Sequence, residues 1–309
     1  VSQGPASGIR NEDLRRALDD AAARRPSQLG ELLARFSGLP GPRPNLTFAQ
    51  SVGDAVGARP PREATTILAP LADDVAAPDT ARVFLPMVAA WGYAALVRER
   101  KAEEEAWARL AALSADERAP VRLASAQALA SLATRAPRGG DLLVGAMARW
   151  LGDPEVGLEG IADREIRWGA LATALDAIAE RGALRTVQDR PALLALVSRW
   201  IGELAEAPRA AERLDARRRA LASLATAAAL FALDVRGAAD GASWLEAEYA
   251  RARHPDLRRT FEASLARLKK RGASQRAEVL ARLQSALASS AKPPRDPTLE
   301  RKGTRRRGR

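Results

Sequence analysis

Residues 116–135 read DERAPVRLASAQALASLATR. Pro120 stands in a first turn, where its missing N–H would have no intrahelical partner anyway. Val121-Arg122 opens the helix, and Leu123, Ala126, Leu129, Ala130 and Leu132 recur at helical spacing. Ala and Ser between them let a neighbouring helix approach closely. A stretch this small and apolar predicts a helix that packs on others of its own kind.

Aligning the rest of the chain on Val121-Arg122 finds four companions: Ala81-Arg82, Ile166-Arg167, Ala216-Arg217 and Leu257-Arg258, spaced 40, 45, 50 and 41 residues apart in chain order. Arg122, Arg167, Arg217 and Arg258 each have a Trp 14 to 17 residues upstream, at Trp107, Trp150, Trp200 and Trp244. Two helices per unit at such a period is the signature of an α-solenoid. The Asp/Val/Arg cluster opening each second helix resembles HEAT-type repeats over roughly residues 62–289. That resemblance implies an all-α, right-handed solenoid of about five degenerate units, with a long concave surface for binding.

Composition agrees. Hydrophobic content is 47% but aromatic content only 4%, so the apolar mass is largely Ala and Leu, which favours helices over strands. With no Cys, disulfides and thiolate sites are excluded. The sole His, His254 in HPDLRR, rules out multi-His metal sites and is placed for a turn or cap. No cofactor is expected. The longest apolar run, 220–233, is shorter than the ~20 residues a membrane helix needs. The first residues carry no secretory pattern, so the cytoplasm is the expected compartment.

The chain divides into a helical cap with a breaker loop (1–45), a solenoid body (46–290) and a basic tail (291–309). Asn11 reads as an N-cap, and Ser27–Phe36 as a second short helix. GLPGPRPN at 38–45 breaks any regular element. Residues 46–60 are weakly patterned. Pro70 and Pro86 are expected to kink their helices, Gly182 and Gly272 to end theirs. A last helix is expected over 274–289. Beyond 291 the composition is too polar and Pro-rich to fold alone.

Net charge is +11 and unevenly spread. Residues 251–309 hold 18 Lys/Arg against 5 Asp/Glu; the rest holds 31 against 33. An acidic partner reached from the C-terminal side fits such asymmetry. Candidate binding residues there are Lys269, Lys270, Arg271, Arg305, Arg306 and Arg307. A second set is the Arg row: Arg82, Arg122, Arg167, Arg217 and Arg258. These Arg residues either grip phosphates or pair with the acids just ahead of them, Asp79, Asp116, Asp163, Asp215 and Asp256, and the pairing is the favoured reading. The Trp row reads as core. Trp168, beside Arg167, is the aromatic on a second helix expected to be exposed.

The pattern favours a non-enzymatic scaffold that binds protein on its concave face. The alternative is a nucleic-acid binder using the basic end. The architecture and basic balance also resemble HEAT-like alkylpurine DNA glycosylases. That resemblance implies an exposed Trp and Asp in a basic groove, for which Trp168 and Asp176 are the nearest pair.

Overall fold

The structure is a computed structural model that describes residues 10–41, 43–153, 157–180, 182–233 and 241–272, with 281 and 285. These residues are helical throughout, apart from turns and one isolated bridge between Asp153 and Leu158. The fold is an all-α helical-repeat solenoid. It forms two compact units, 1–227 and 228–309.

In the first unit, α1 (Asn11–Ala22), α2 (Ser27–Phe36), α3 (Leu46–Gly57) and α4 (Pro61–Ala72) precede α5 (Phe84–Arg98). The repeating pairs follow: α6 (Glu103–Ala115) with α7 (Ala119–Arg135), α8 (Gly139–Leu151) with α9 (Arg164–Ile178), and α11 (Arg190–Ala205) with α12 (Asp215–Leu233). A single turn, α10 (Ala183–Thr186), joins α9 to α11. Successive second helices stack directly, α5 on α7 and α7 on α9. Every residue of α5 from Phe84 to Val97 is buried, because α3, α4, α6 and α7 surround it. The unit boundary falls within α12, so the second unit contains the end of α12 from Ala228, α13 (Gly241–Arg251) and α14 (Pro255–Gly272), with Phe231 on Trp244 and Tyr249 on Phe261.

Several local expectations change. The helix α1 begins at Asn11 itself, and Arg10 precedes it in an ion pair with Asp13. Pro86 falls in the first turn of α5, after a 3₁₀ turn at Ala81–Val83, so no hydrogen bond is lost there. Pro70 does lie inside α4. Gly182 has φ +99° and precedes α10 rather than closing α9 directly. The core stripe of α7 is Val121, Ala124, Ala128, Leu129 and Leu132, while Leu123 is 47% exposed. The helix expected at 274–289 and the basic tail lie outside the described residues, apart from 281 and 285.

The weakly patterned 46–60 stretch is the helix α3, capped by Asn45, whose side chain accepts from Phe48 N–H. Its glycines weaken the pattern but serve close packing. A Cβ on Gly53 would stand 2.5 Å from Trp91 Cβ and 2.7 Å from Gly92 N; one on Gly57 would stand 2.4 Å from Ala95 Cβ. Since 53 and 57 are one turn apart, both face α5, and their missing side chains set the distance between the two helices.

Two glycine substitutions should therefore have opposite signs. Gly145→Ala, on the exposed face of α8 with nothing within 4 Å, should stabilise by about 0.5–1 kcal/mol through helix propensity. Gly53→Ala gains the same propensity but drives a methyl into main-chain atoms, costing about 1–3 kcal/mol, so it should destabilise. Denaturant melts followed by circular dichroism measure both; equal signs would refute the close crossing.

Candidate functional site

Within the Arg row, Arg82 and Arg167 pair with carboxylates, but with those of Asp74 and Glu203 rather than the acids just ahead of them, and main-chain carbonyls are the recurring partners. Arg122 Nη1 donates to the carbonyls of Asp116 (2.7 Å) and Glu117 (2.6 Å). Arg167 Nη1 donates to the carbonyl of Ile161, and Arg258 Nε to that of Ala252 at 2.8 Å. In all three an acceptor lies six residues upstream, in the turn before the helix. Arg217, 1% exposed, reaches the carbonyl of Leu204 at 3.4 Å, thirteen residues back, because a 3₁₀ segment at Arg209–Arg213 lengthens that turn. Arg82 bonds a carboxylate, but that of Asp74 (2.6 Å) rather than Asp79.

The acids ahead of each Arg have other work. Asp163 caps α9, accepting from the N–H groups of Glu165 and Ile166. Asp116 holds Arg118 at 2.7 Å, Asp215 holds Arg218 at 3.1 Å, and Asp256 meets Arg259 at 3.5 Å. Sequence reasoning missed the carbonyl partners because no residue type reveals them, and missed Glu203 because it lies 36 residues beyond Arg167. His254 does cap: its Nδ1 accepts from Asp256 N–H in the first turn of α14.

Trp168 corrects an expectation. It is fully buried, and its Nε1 donates to Glu203 Oε1 at 3.1 Å, the oxygen that also accepts from Arg167 Nη2 at 2.6 Å. The residue following Arg167 on α9 points inward once the Arg points to the turn. Asp176, two turns on, is exposed beside Ser223. Crowding by the packed helices pushes its carboxyl above the usual range; a hydrogen bond from Ser223 opposes this and Glu180 adds to it. A buried indole cannot stack on a base, so Trp168 and Asp176 do not form the pair a glycosylase reading needs. Trp107, Trp150 and Trp200 are core, with the first two edge to face at 6.0 Å; Trp244 is half-buried against Phe231. The side chains of Lys269, Lys270 and Arg271, and all of Arg305, Arg306 and Arg307, lie outside the described residues.

What the helix starts do create is a groove of about 790 Å³ in the first unit. It is bounded by the turn 75–78 after α4, the end of α6, and the starts of α7, α9 and α12. Val75, 92% exposed, and Ile166 supply apolar wall. Five carboxylates and two guanidiniums line it. Arg122 lies close behind; burial depresses its pKa most, and Arg219 adds to that while Asp215 and Asp116 oppose it. Among the described residues no group of His, Cys, Asp and Glu is arranged to hold a metal ion, and no helix is long and apolar enough to cross a membrane.

No protein-family model and no curated protein matches the chain. Among solved structures it is similar to a designed armadillo repeat protein in complex with the peptide (KR)4, at 16% identity and TM-score 0.33, covering 90% of this chain and 98% of that one. It is also similar to computationally designed armadillo repeat proteins for modular peptide recognition, at 15% identity and TM-score 0.30, covering 82% and 98%.

The two kinds of Arg should respond differently to mutation. Glu203→Ala strips partners from Arg167 and from the buried Trp168 N–H, and should cost about 2–4 kcal/mol. Arg218→Ala removes one member of a pair exposed on both sides, 70% and 68%, and should cost about 1 kcal/mol or less. Chemical denaturation of both variants tests the ranking, and a reversed order would contradict it.

Proposed function

We propose that this protein is a non-enzymatic, HEAT-like scaffold that binds protein through the concave surface lined by its second helices. The groove at the starts of α7, α9 and α12 carries the reading: it spans several repeat units and presents apolar side chains to solvent. Leu123 adds a further exposed apolar residue one turn into α7. A soluble surface gains nothing from such groups unless something covers them. The paired state of the Arg row supports the same reading, since guanidiniums held by main-chain carbonyls are poorly placed to grip phosphates.

The second reading, nucleic-acid binding, rests on a different part of the chain. Its support is the excess of 13 positive charges over residues 251–309. Contact from that end would be sequence-blind and steeply salt-dependent.

A photo-crosslinking amino acid at Val75 discriminates them. In lysate of the source organism, the scaffold reading predicts discrete protein adducts at Val75 that are absent when the probe sits at exposed Glu104, at the far end of α6. Identical adducts at both positions, or nucleic acid as the sole adduct, would refute it.

A further inference from the structure

We propose that the groove at the starts of α7, α9 and α12 docks a basic, extended peptide segment of the partner, an assignment that rests on the scaffold reading above.

The charge balance comes first. Arg118 is consumed inside the fold: it grips the Asp116 carboxylate through Nε and Nη2, and its Nη1 donates to the carbonyls of Asp74 and Ala76. Arg219 faces Asp215 at 3.5 Å. These two pairs cancel, and what they leave is Glu117, Asp163 and Glu165, a net charge of −3 on the lining. Nothing among the described residues bonds the carboxylates of Glu117 or Glu165. Asp163 uses one oxygen, Oδ1, to cap α9 and leaves the other open. Counting Arg122 behind the wall and Arg218, which also meets Asp215, the balance is still −1.

An anionic occupant is the natural rival, because three helix N-termini converge here and each favours negative charge. The chain has already filled those positions with its own acids: Glu117 just ahead of α7, Asp163 and Glu165 at α9, and Asp215 at α12. A further anion would meet an uncompensated carboxylate at α7 and at α9. A cation meets an attractive one.

Shape and lining then select the kind of cation. The volume is within the roughly 300–1,000 Å³ of sites that enclose an organic ligand, too large for a bare ion. Val75, Ala77, Ala112, Ala115 and Ile166 supply apolar wall among the carboxylates. Lys and Arg have that division built in: an aliphatic stem that lies on apolar surface and a charged head that reaches past it. Carboxylates arriving from separate repeat units favour several such side chains on one extended strand over a single head group.

The test uses the full chain and a short fluorescent peptide alternating Lys or Arg with Ala and Val, read by anisotropy at low and moderate salt. Wild type should bind it and should ignore the same peptide with Glu at the basic positions. The double variant Glu117→Lys/Glu165→Lys should bind at least about tenfold more weakly, which is about 1.4 kcal/mol. Glu104→Lys, equal in charge change per site but outside the groove, should bind as wild type does. All these positions are exposed, and circular dichroism confirms folding. Unchanged affinity in the double variant, or equal binding of the acidic peptide, overturns the proposal. Tight binding of a synthetic 291–309 peptide with none of the generic one also overturns it, since the occupant would then be this chain's own sequence. Protein adducts at Val75 without basic-peptide binding would sink the basic occupant alone and leave the scaffold standing; loss of both would remove both.

Discussion

An α-helix ends in carbonyl oxygens that its own backbone cannot satisfy, and an array of short helices multiplies such ends. This chain closes them with cationic side chains from the neighbouring element. Lys101 donates to the carbonyls of Gly57, Ala58 and Arg59 at the end of α3. Arg118 serves the turn after α4, Arg122 the turn after α6, Arg199 the end of α8, Arg217 the end of α11 and Arg258 the turn after α13. Each contact places a positive charge on the negative end of a helix dipole, so hydrogen bonding and electrostatics act together. The turn geometry, the stacking of successive pairs and the position of the groove all follow from these ties.

The same device explains the charge pattern of the surface. A guanidinium that lies over a turn is screened from solvent on one side and bonded on the other. Some of these guanidiniums also hold a carboxylate, Arg118 that of Asp116 and Arg199 that of Asp153, while Asp163 caps a helix and Glu117 and Glu165 face outward. Residues 1–250, close to neutral by composition, thus present acid-rich ground where helix starts converge. Small residues permit the convergence: Gly169 on α9 leaves so little space that a Cβ there would stand 2.9 Å from Ala115 Cα.

Much of the helical order was legible from sequence, for definite reasons. The Arg spacing marked the starts of α7, α9, α12 and α14, because a tie between a helix start and the preceding turn recurs once per unit. The Trp row marked core, since one large side chain per pair fills an interface of Ala and Leu. Three things were not legible. The Gly53/Gly57 helix was weakly patterned, as glycine weakens a helix locally and helps only through a distant partner, here Trp91 and Ala95. Trp168 was expected outside because it adjoins Arg167, yet neighbours on a helix face directions about 100° apart. The groove joins segments about 40 to 50 residues apart, so no local pattern announces it.

The central claim is that the helix-start Arg residues are structural ties, and Arg122→Lys, Arg167→Lys and Arg258→Lys test it directly. Lys keeps the charge but loses the planar fork that reaches the turn carbonyls. Chemical denaturation and DNA or RNA binding at low salt would be measured side by side. The account predicts that each variant loses stability, by about 1–2 kcal/mol, with nucleic-acid affinity unmoved. Wild-type stability combined with altered nucleic-acid affinity would contradict it and return the row to phosphate binding.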